Sequence, residues 1–196
     1  KSIDLVLCDM PYGTTNCRWD SIIDLDAMWL YLDRICKPNS AILLFSQMPF
    51  SAVLVNSNIK MFRYEIIWEK ALATGHLNAK KMFMKAHENV MVFYNRLPTF
   101  NPQMTKSYAR KEISGNPSDL YGQQNKLGIP YNSDLRYPRS VQHFNNEAMS
   151  NKSLRFHPTQ KPLDLMEYLI KTYSNENDTV LDFCMGSGTT GLACKN

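Results

Sequence analysis

The chain has 196 residues, of which 44% are hydrophobic and 20% charged, enough apolar material for one sizeable core and the wrong composition for a disordered chain. Its apolar runs fall far short of the roughly 20 residues that span a bilayer, and five cysteines with no CxxC pair point away from a disulfide framework, so a soluble protein of the reducing cytoplasm is expected. The formal charge of +4 is unevenly placed: residues 96–156 hold nine Lys or Arg against four Asp or Glu, so a near-neutral core carries a basic insert.

Residues 3–8 are an apolar run broken only by Asp4 and stopped by Asp9-Met10-Pro11-Tyr12-Gly13, the pattern of a buried parallel strand that ends in a loop. Residues 25–36 repeat apolar side chains at helical spacing (Leu25, Met28, Trp29, Leu32, Ile35) and stop at Lys37-Pro38-Asn39. Residues 41–45 read as the next strand, and Pro49 suits the first turn of a short helix that reaches Ser57. Residues 62–68 and 89–94 are β-rich runs on either side of a loop carrying Lys80, Lys81 and Lys85. Residues 96–156 show almost no periodicity and read as irregular. Order returns with an amphipathic helix over residues 162–173 and a strand over 179–183, after which Met185-Gly186-Ser187-Gly188-Thr189-Thr190 opens a helix. The chain enters a strand within two residues of Lys1 and stops inside a helix at Lys195-Asn196, so truncation of a longer parent at both ends is expected.

Strands alternating with helices imply a mostly parallel sheet covered on both faces, whose ligands lie beyond the carboxyl ends of the strands. Two motifs fall there. Gly186 and Gly188 let the chain turn sharply and bring a ligand to the backbone, although an ordinary strand-to-helix turn has the same look, and the spacing is not GxGxxG. Asp9-Met10-Pro11-Tyr12 places a carboxylate, a stiffened backbone and an aromatic face together, which suits an amino group on a planar base; a turn with a core tyrosine is the plainer alternative. In the insert Tyr108, Tyr121, Tyr131, Tyr137 and Phe144 lie among Arg110, Lys111, Lys126, Arg136 and Arg139, a mixture equally suited to nucleic acid and to a solvated polar region. No His or Cys has metal-ligand spacing, and no metal is expected.

The order Asp9-Met10-Pro11-Tyr12, His157-Pro158-Thr159-Gln160-Lys161-Pro162, Asp182-Phe183-Cys184-Met185-Gly186-Ser187-Gly188-Thr189-Thr190 resembles the beta-class DNA amino-methyltransferases, which modify N6 of adenine or N4 of cytosine and carry the catalytic motif before the glycine motif. The resemblance implies a Rossmann-like α/β methyltransferase sheet, mostly parallel with an antiparallel strand, in circularly permuted motif order. It divides the chain into a catalytic half (1–95), an irregular target-recognition insert (96–156) and a cofactor-binding half (157–196). It implies S-adenosylmethionine as cofactor, held by Asp9, Asp182, Phe183, Gly186, Gly188 and Thr189, with Thr159, Gln160 and Lys161 at its methionine end. Lys161 reads otherwise as a solvated residue at a helix start. Asp9, Met10, Pro11 and Tyr12 would face the flipped base, the Met10 carbonyl serving where the family usually has proline. Double-stranded DNA is the implied partner, met by Lys80, Lys81, Lys85, Arg110, Lys111, Lys126, Arg136 and Arg139. The family's acidic residue for the cofactor ribose would lie beyond Asn196. Asp rather than Ser at position 9 leans toward adenine; cytosine N4 methylation and a methyltransferase-like binding module are the rivals. A homodimer or a restriction-enzyme partner stays open.

Overall fold

The computed structural model describes residues 1–14, 17, 20–106, 134–145 and 160–196. The strands in chain order are β1 (Ile3–Cys8), β2 (Cys36–Ser46), β3 (Phe62–Thr74), β4 (Lys85–Phe93), β5 (Thr105–Lys106), β6 (Leu135–Arg136), β7 (Val141–Phe144) and β8 (Val180–Leu181). The helices are α1 (Leu25–Ile35), α2 (Phe50–Ser57), α3 (Leu163–Tyr173) and α4 (Thr189–Lys195). The chain forms two compact units: Lys1–Asn101 with Arg139–Asn196, and Pro102–Pro138. Within the second, β5 and β6 pair antiparallel.

The first unit is built on a six-stranded sheet in the order β7-β3-β4-β2-β1-β8. β1 runs parallel to β2 and β8, and β3 parallel to β7, while β4 is antiparallel to both β2 and β3. The sheet is therefore mostly parallel with one reversed strand. Side chains alternate across it as the pleat demands. Leu5 and Leu7, with Ala41, Leu43 and Phe45, pack under Leu165, Met166 and Leu169 of α3 and Ala193 of α4. Val6 and Cys8, with Ile42 and Leu44, pack under Met28 and Leu32 of α1 and Phe50 and Leu54 of α2. Burial on both faces is why β1 reads as an unbroken apolar run. α1 starts where the Asp24 carboxylate accepts a hydrogen bond from the Ala27 N–H at 3.1 Å, satisfying one of the open donors of its first turn. Among the described residues, no helix is long and apolar enough to cross a membrane.

Several elements differ from the sequence expectation, and β2, β3, β4 and β7 do so for tertiary reasons. β2 begins at Cys36 because Cys36 pairs with Ile3 before the chain steps out at Lys37-Pro38-Asn39 and rejoins at Leu5–Ala41. β3 and β4 extend through Glu69, Lys70 and Glu88, charged residues that hide the strand ends from a reading based on β-propensity. Lys85 thus opens a strand instead of lying in the loop. The segment expected to be irregular supplies β7, whose residues pair with β3 from Ile67–Val141 to Lys70–Phe144, while the Trp68 indole N–H donates to the Phe144 carbonyl at 3.0 Å.

Candidate functional site

Because β4 alone is reversed, the ends of β1, β2, β3 and β8 and the start of β4 gather at one edge of the sheet, and a cavity of about 600 Å³ opens there. The Asp9-Met10-Pro11-Tyr12 segment follows β1, Gln47 follows β2, Asp182 follows β8, and Lys70 and Glu88 face the cavity from β3 and β4. Among the described residues, four carboxylates line it (Asp9, Asp20, Glu88, Asp182) against two ammonium groups (Lys70, Lys161), so acids outnumber bases on its described wall.

Lys161 is the hub of a buried charge chain. Its Nζ donates to Asp9 Oδ2 at 2.6 Å and lies 3.3 Å from Glu88 Oε2, and Glu88 also pairs with Lys70. Only 8% of the Lys161 side chain is exposed. Burial opposes its charge, but the Asp9 and Glu88 carboxylates outweigh that penalty and raise the ammonium above its ordinary value. Burial likewise opposes ionisation of Glu88, and Lys161 and Lys70 together lower it below the usual glutamate value. Glu88 Oε2 is buried, and its contact with Lys161 Nζ at 3.3 Å is an ion pair rather than a well-aligned hydrogen bond.

The second carboxylate oxygen of Asp9 accepts from the Tyr12 hydroxyl at 2.7 Å. Burial, then the negative charges of Asp9 and Glu88, push the Tyr12 phenol well above its ordinary value, which keeps it a proton donor. The Tyr12 ring is half-buried and stacks on Phe50, centroids 5.7 Å apart at 24°. Tyr12 and Lys161 therefore fix the plane of the Asp9 carboxylate from both oxygens, and each oxygen keeps a lone pair for a further donor. The loop itself is held by Asp20, whose carboxylate accepts from the N–H groups of Tyr12, Gly13 and Thr14 at 2.8, 2.9 and 2.9 Å. Gly13, at φ +67°, makes that wrap possible without strain.

On the other wall, Gly186 and Gly188 have φ of +53° and +79°, a left-handed backbone that side chains resist, and Gly188 forms the N-terminal boundary of α4. Asp182 braces the turn: its carboxylate accepts from the Cys184 N–H at 3.1 Å and from the Thr190 hydroxyl at 2.5 Å. The Cys8 thiol lies beside Cys184, which packs against the same core cluster, and that neighbour together with burial raises it above the usual thiol range.

Of the residues singled out in the sequence, Asp9, Met10, Pro11, Tyr12, Gln160, Lys161, Asp182, Gly186 and Thr189 all line this cavity. Phe183 and Gly188 do not, although both belong to the same turn. The Met10 side chain is buried in the core, so only its backbone can serve the cavity. Lys161 is not the solvated residue that a helix start suggests. Lys80, Lys81, Lys85 and Arg139 are exposed and Arg136 half-buried, none of them lining the cavity. Thr159, Arg110, Lys111 and Lys126 lie outside the described residues. Sequence reading missed Lys70, Glu88 and Asp20. An isolated acid opening an apolar strand was the available sign for Glu88, and an Asp after a glycine loop the sign for Asp20.

A family model described as DNA methylase matches residues 3–196. The chain is 29% identical to the type II methyltransferase M1.MboII of Moraxella bovis, a match covering 100% of this chain and 81% of that one. It is 26% identical to the type II methyltransferase M.HpaI of Haemophilus parainfluenzae over 100% of this chain, and spans 62% of that protein's length. Among solved structures, the fold is similar to the cytosine-N4-specific PvuII DNA methyltransferase, with a TM-score of 0.63 and 16% identity over 99% of this chain and 71% of the other.

Proposed function

The chain belongs to the DNA methylase family of the N6-adenine and N4-cytosine type, and on that premise we propose that its cavity transfers a methyl group from S-adenosylmethionine to N6 of an adenine flipped out of double-stranded DNA. The observation that carries the reading is the Asp9 carboxylate, anchored at both oxygens by Lys161 and Tyr12 at the mouth of a strand-end cavity whose opposite wall is a glycine turn.

The cavity suits the cofactor on two grounds. Its volume is in the range of small-molecule sites, and the excess of carboxylates among its described lining residues matches a ligand bearing a sulfonium and an ammonium. Asp182, Gly186 and Thr189, with Gln160 and Thr159, would hold it, along with Phe183 and Gly188 in the same turn. When bound, S-adenosylmethionine supplies an electrophilic methyl group. What the protein must supply is a better nucleophile, because the lone pair of an exocyclic amino nitrogen is delocalised into the base. Asp9 and the Met10 carbonyl accept hydrogen bonds from the two amino N–H groups, pull the nitrogen toward tetrahedral geometry and localise the lone pair. Tyr12, backed by Phe50, gives the base a stacking face and orients Asp9 through its hydroxyl. Lys161 serves as the clamp on Asp9 within this arrangement. Lys80, Lys81, Lys85, Arg136, Arg139, Arg110, Lys111 and Lys126 are assigned to DNA, and residues 96–156 to target recognition. Asp9 favours adenine over cytosine. Sites of modification and a restriction partner belong to the whole protein, which acts in the cytoplasm on this reading.

The test is to incubate the full-length protein with duplex DNA and isotopically labelled S-adenosylmethionine, digest the DNA and identify the labelled nucleoside. N6-methyladenine supports the reading. N4-methylcytosine transfers the same chemistry to the rival base, and the absence of both labelled nucleosides refutes amino methylation.

A further inference from the structure

The β3–β4 hairpin carries a tip that the methyl-transfer chemistry leaves unused. Residues 75–84 link the two strands and place Lys80-Lys81-Met82-Phe83-Met84-Lys85 at their end. Phe83 is 100% exposed and Leu77 87%, with Met82 and Met84 exposed beside them. The tip is shaped by its own backbone: the Asn78 N–H donates to the Gly75 carbonyl at 3.0 Å, and the Asn78 carbonyl accepts from Lys81 and Met82 at 2.8 and 3.0 Å. Its stem sits at the rim of the cavity. Lys70 and Thr74 line the cavity from β3, and across the ladder Lys85 donates to Gln47, also a lining residue, at 3.2 Å.

A fully exposed phenylalanine between two methionines is surface that a partner covers, and the lysines on either side restrict the partner's chemistry. Phosphates outside and apolar stacked bases inside are the arrangement that such a sequence of cations and apolar wedges fits. Extruding a base also leaves a gap in the stack that must be filled or held open. We propose that Phe83, supported by Met82 and Met84, inserts into the DNA stack beside the target base, while Lys80, Lys81 and Lys85 hold the flanking phosphates, so that the hairpin tip drives base flipping into the neighbouring cavity. The inference rests on the methylation reading above.

The experiment uses the full-length protein and a duplex containing its methylation site, with 2-aminopurine at the target position to report flipping, and compares Phe83→Ala with the unaltered protein. The variant should lower the flipped signal and the single-turnover methylation rate on the order of tenfold, the scale of one lost stacking contact. A duplex with a mismatch opposite the target, which removes the pairing that the wedge must break, should restore the rate. Lys80→Gln with Lys81→Gln should weaken binding and flatten its salt dependence while leaving the flipped fraction at saturation unchanged. Unchanged flipping in Phe83→Ala overturns the proposal, and so does a defect of equal size on matched and mismatched duplexes. Loss of self-association in Phe83→Ala with intact flipping would assign the tip to a second copy of the chain and overturn it too. Flipping is read without methyl transfer, so a protein that flips but does not methylate would refute the function and leave the wedge standing.

Discussion

Lys161→Met tests the charge chain at its hub, because methionine keeps most of the side chain's length and removes only the ammonium. The substitution leaves Asp9 and Glu88 facing each other across the space where Lys161 bridged them at 2.6 and 3.3 Å. Removing one partner of a buried pair costs about 3–5 kcal/mol. Asp9 keeps the Tyr12 hydroxyl and is 24% exposed, and Glu88 keeps Lys70, so the low end applies. A loss of about 3 kcal/mol corresponds, for a chain of this size, to a Tm lowered by about 6–12 °C. The pH dependence identifies the cause. Glu88 is held below the ordinary glutamate value of 4.5 in the native protein, so its pairing contributes stability that is present above that value and lost as pH falls through its lowered pKa. Without Lys161 much of that contribution is already missing, and the stability gap between variant and native protein should narrow below about pH 4.5. Urea unfolding followed by circular dichroism at several pH values measures it. A cost under about 1 kcal/mol, or a gap that does not change with pH, would refute the view that Lys161 neutralises buried carboxylates.

Asp20→Ala removes the acceptor for three backbone N–H groups and should cost about 2 kcal/mol or more in chemical denaturation, with a larger fall in single-turnover rate than in DNA affinity. Tyr12→Ala should weaken flipping through a lost stacking face worth about 1–3 kcal/mol, seen by 2-aminopurine fluorescence. Tyr12→Phe should keep flipping but slow transfer, since it frees one oxygen of Asp9; a variant as fast as the native protein would show that the 2.7 Å hydroxyl contact is dispensable. Neutralising Arg136 and Arg139 together should lower the slope of log affinity against log salt by about 1.8, at about 0.9 per phosphate contact.

The parts of the site that were legible in the sequence are those built from adjacent residues. Asp9 to Tyr12 and Asp182 to Thr190 each sit where a strand stops, and glycine and proline mark such points by backbone geometry alone. The Lys70–Glu88–Lys161 chain was not legible, because it joins residues from β3, β4 and the start of α3 that meet only once the sheet is assembled. The solvated alternative for Lys161 stood in the sequence for the same reason: its partners lie far away along the chain. The buried strands could be read from their apolar runs, whereas β7, short, polar and at the sheet edge, owes its strand form to pairing with β3. Asp20 illustrates a third case, a side chain whose role is set by where the loop returns rather than by its neighbours in sequence.

The most direct test of the catalytic assignment is single-turnover methylation by Asp9→Ala in the full-length protein at saturating S-adenosylmethionine. Among the described residues, the Asp9 carboxylate is hydrogen-bonded by Tyr12 and Lys161, so its loss removes the proposed acceptor for the amino group while the glycine turn and the proposed DNA contacts remain. The rate should fall on the order of a hundredfold or more, with DNA affinity and 2-aminopurine flipping retained. A rate close to that of the native protein would place the reacting amino group elsewhere and contradict the account.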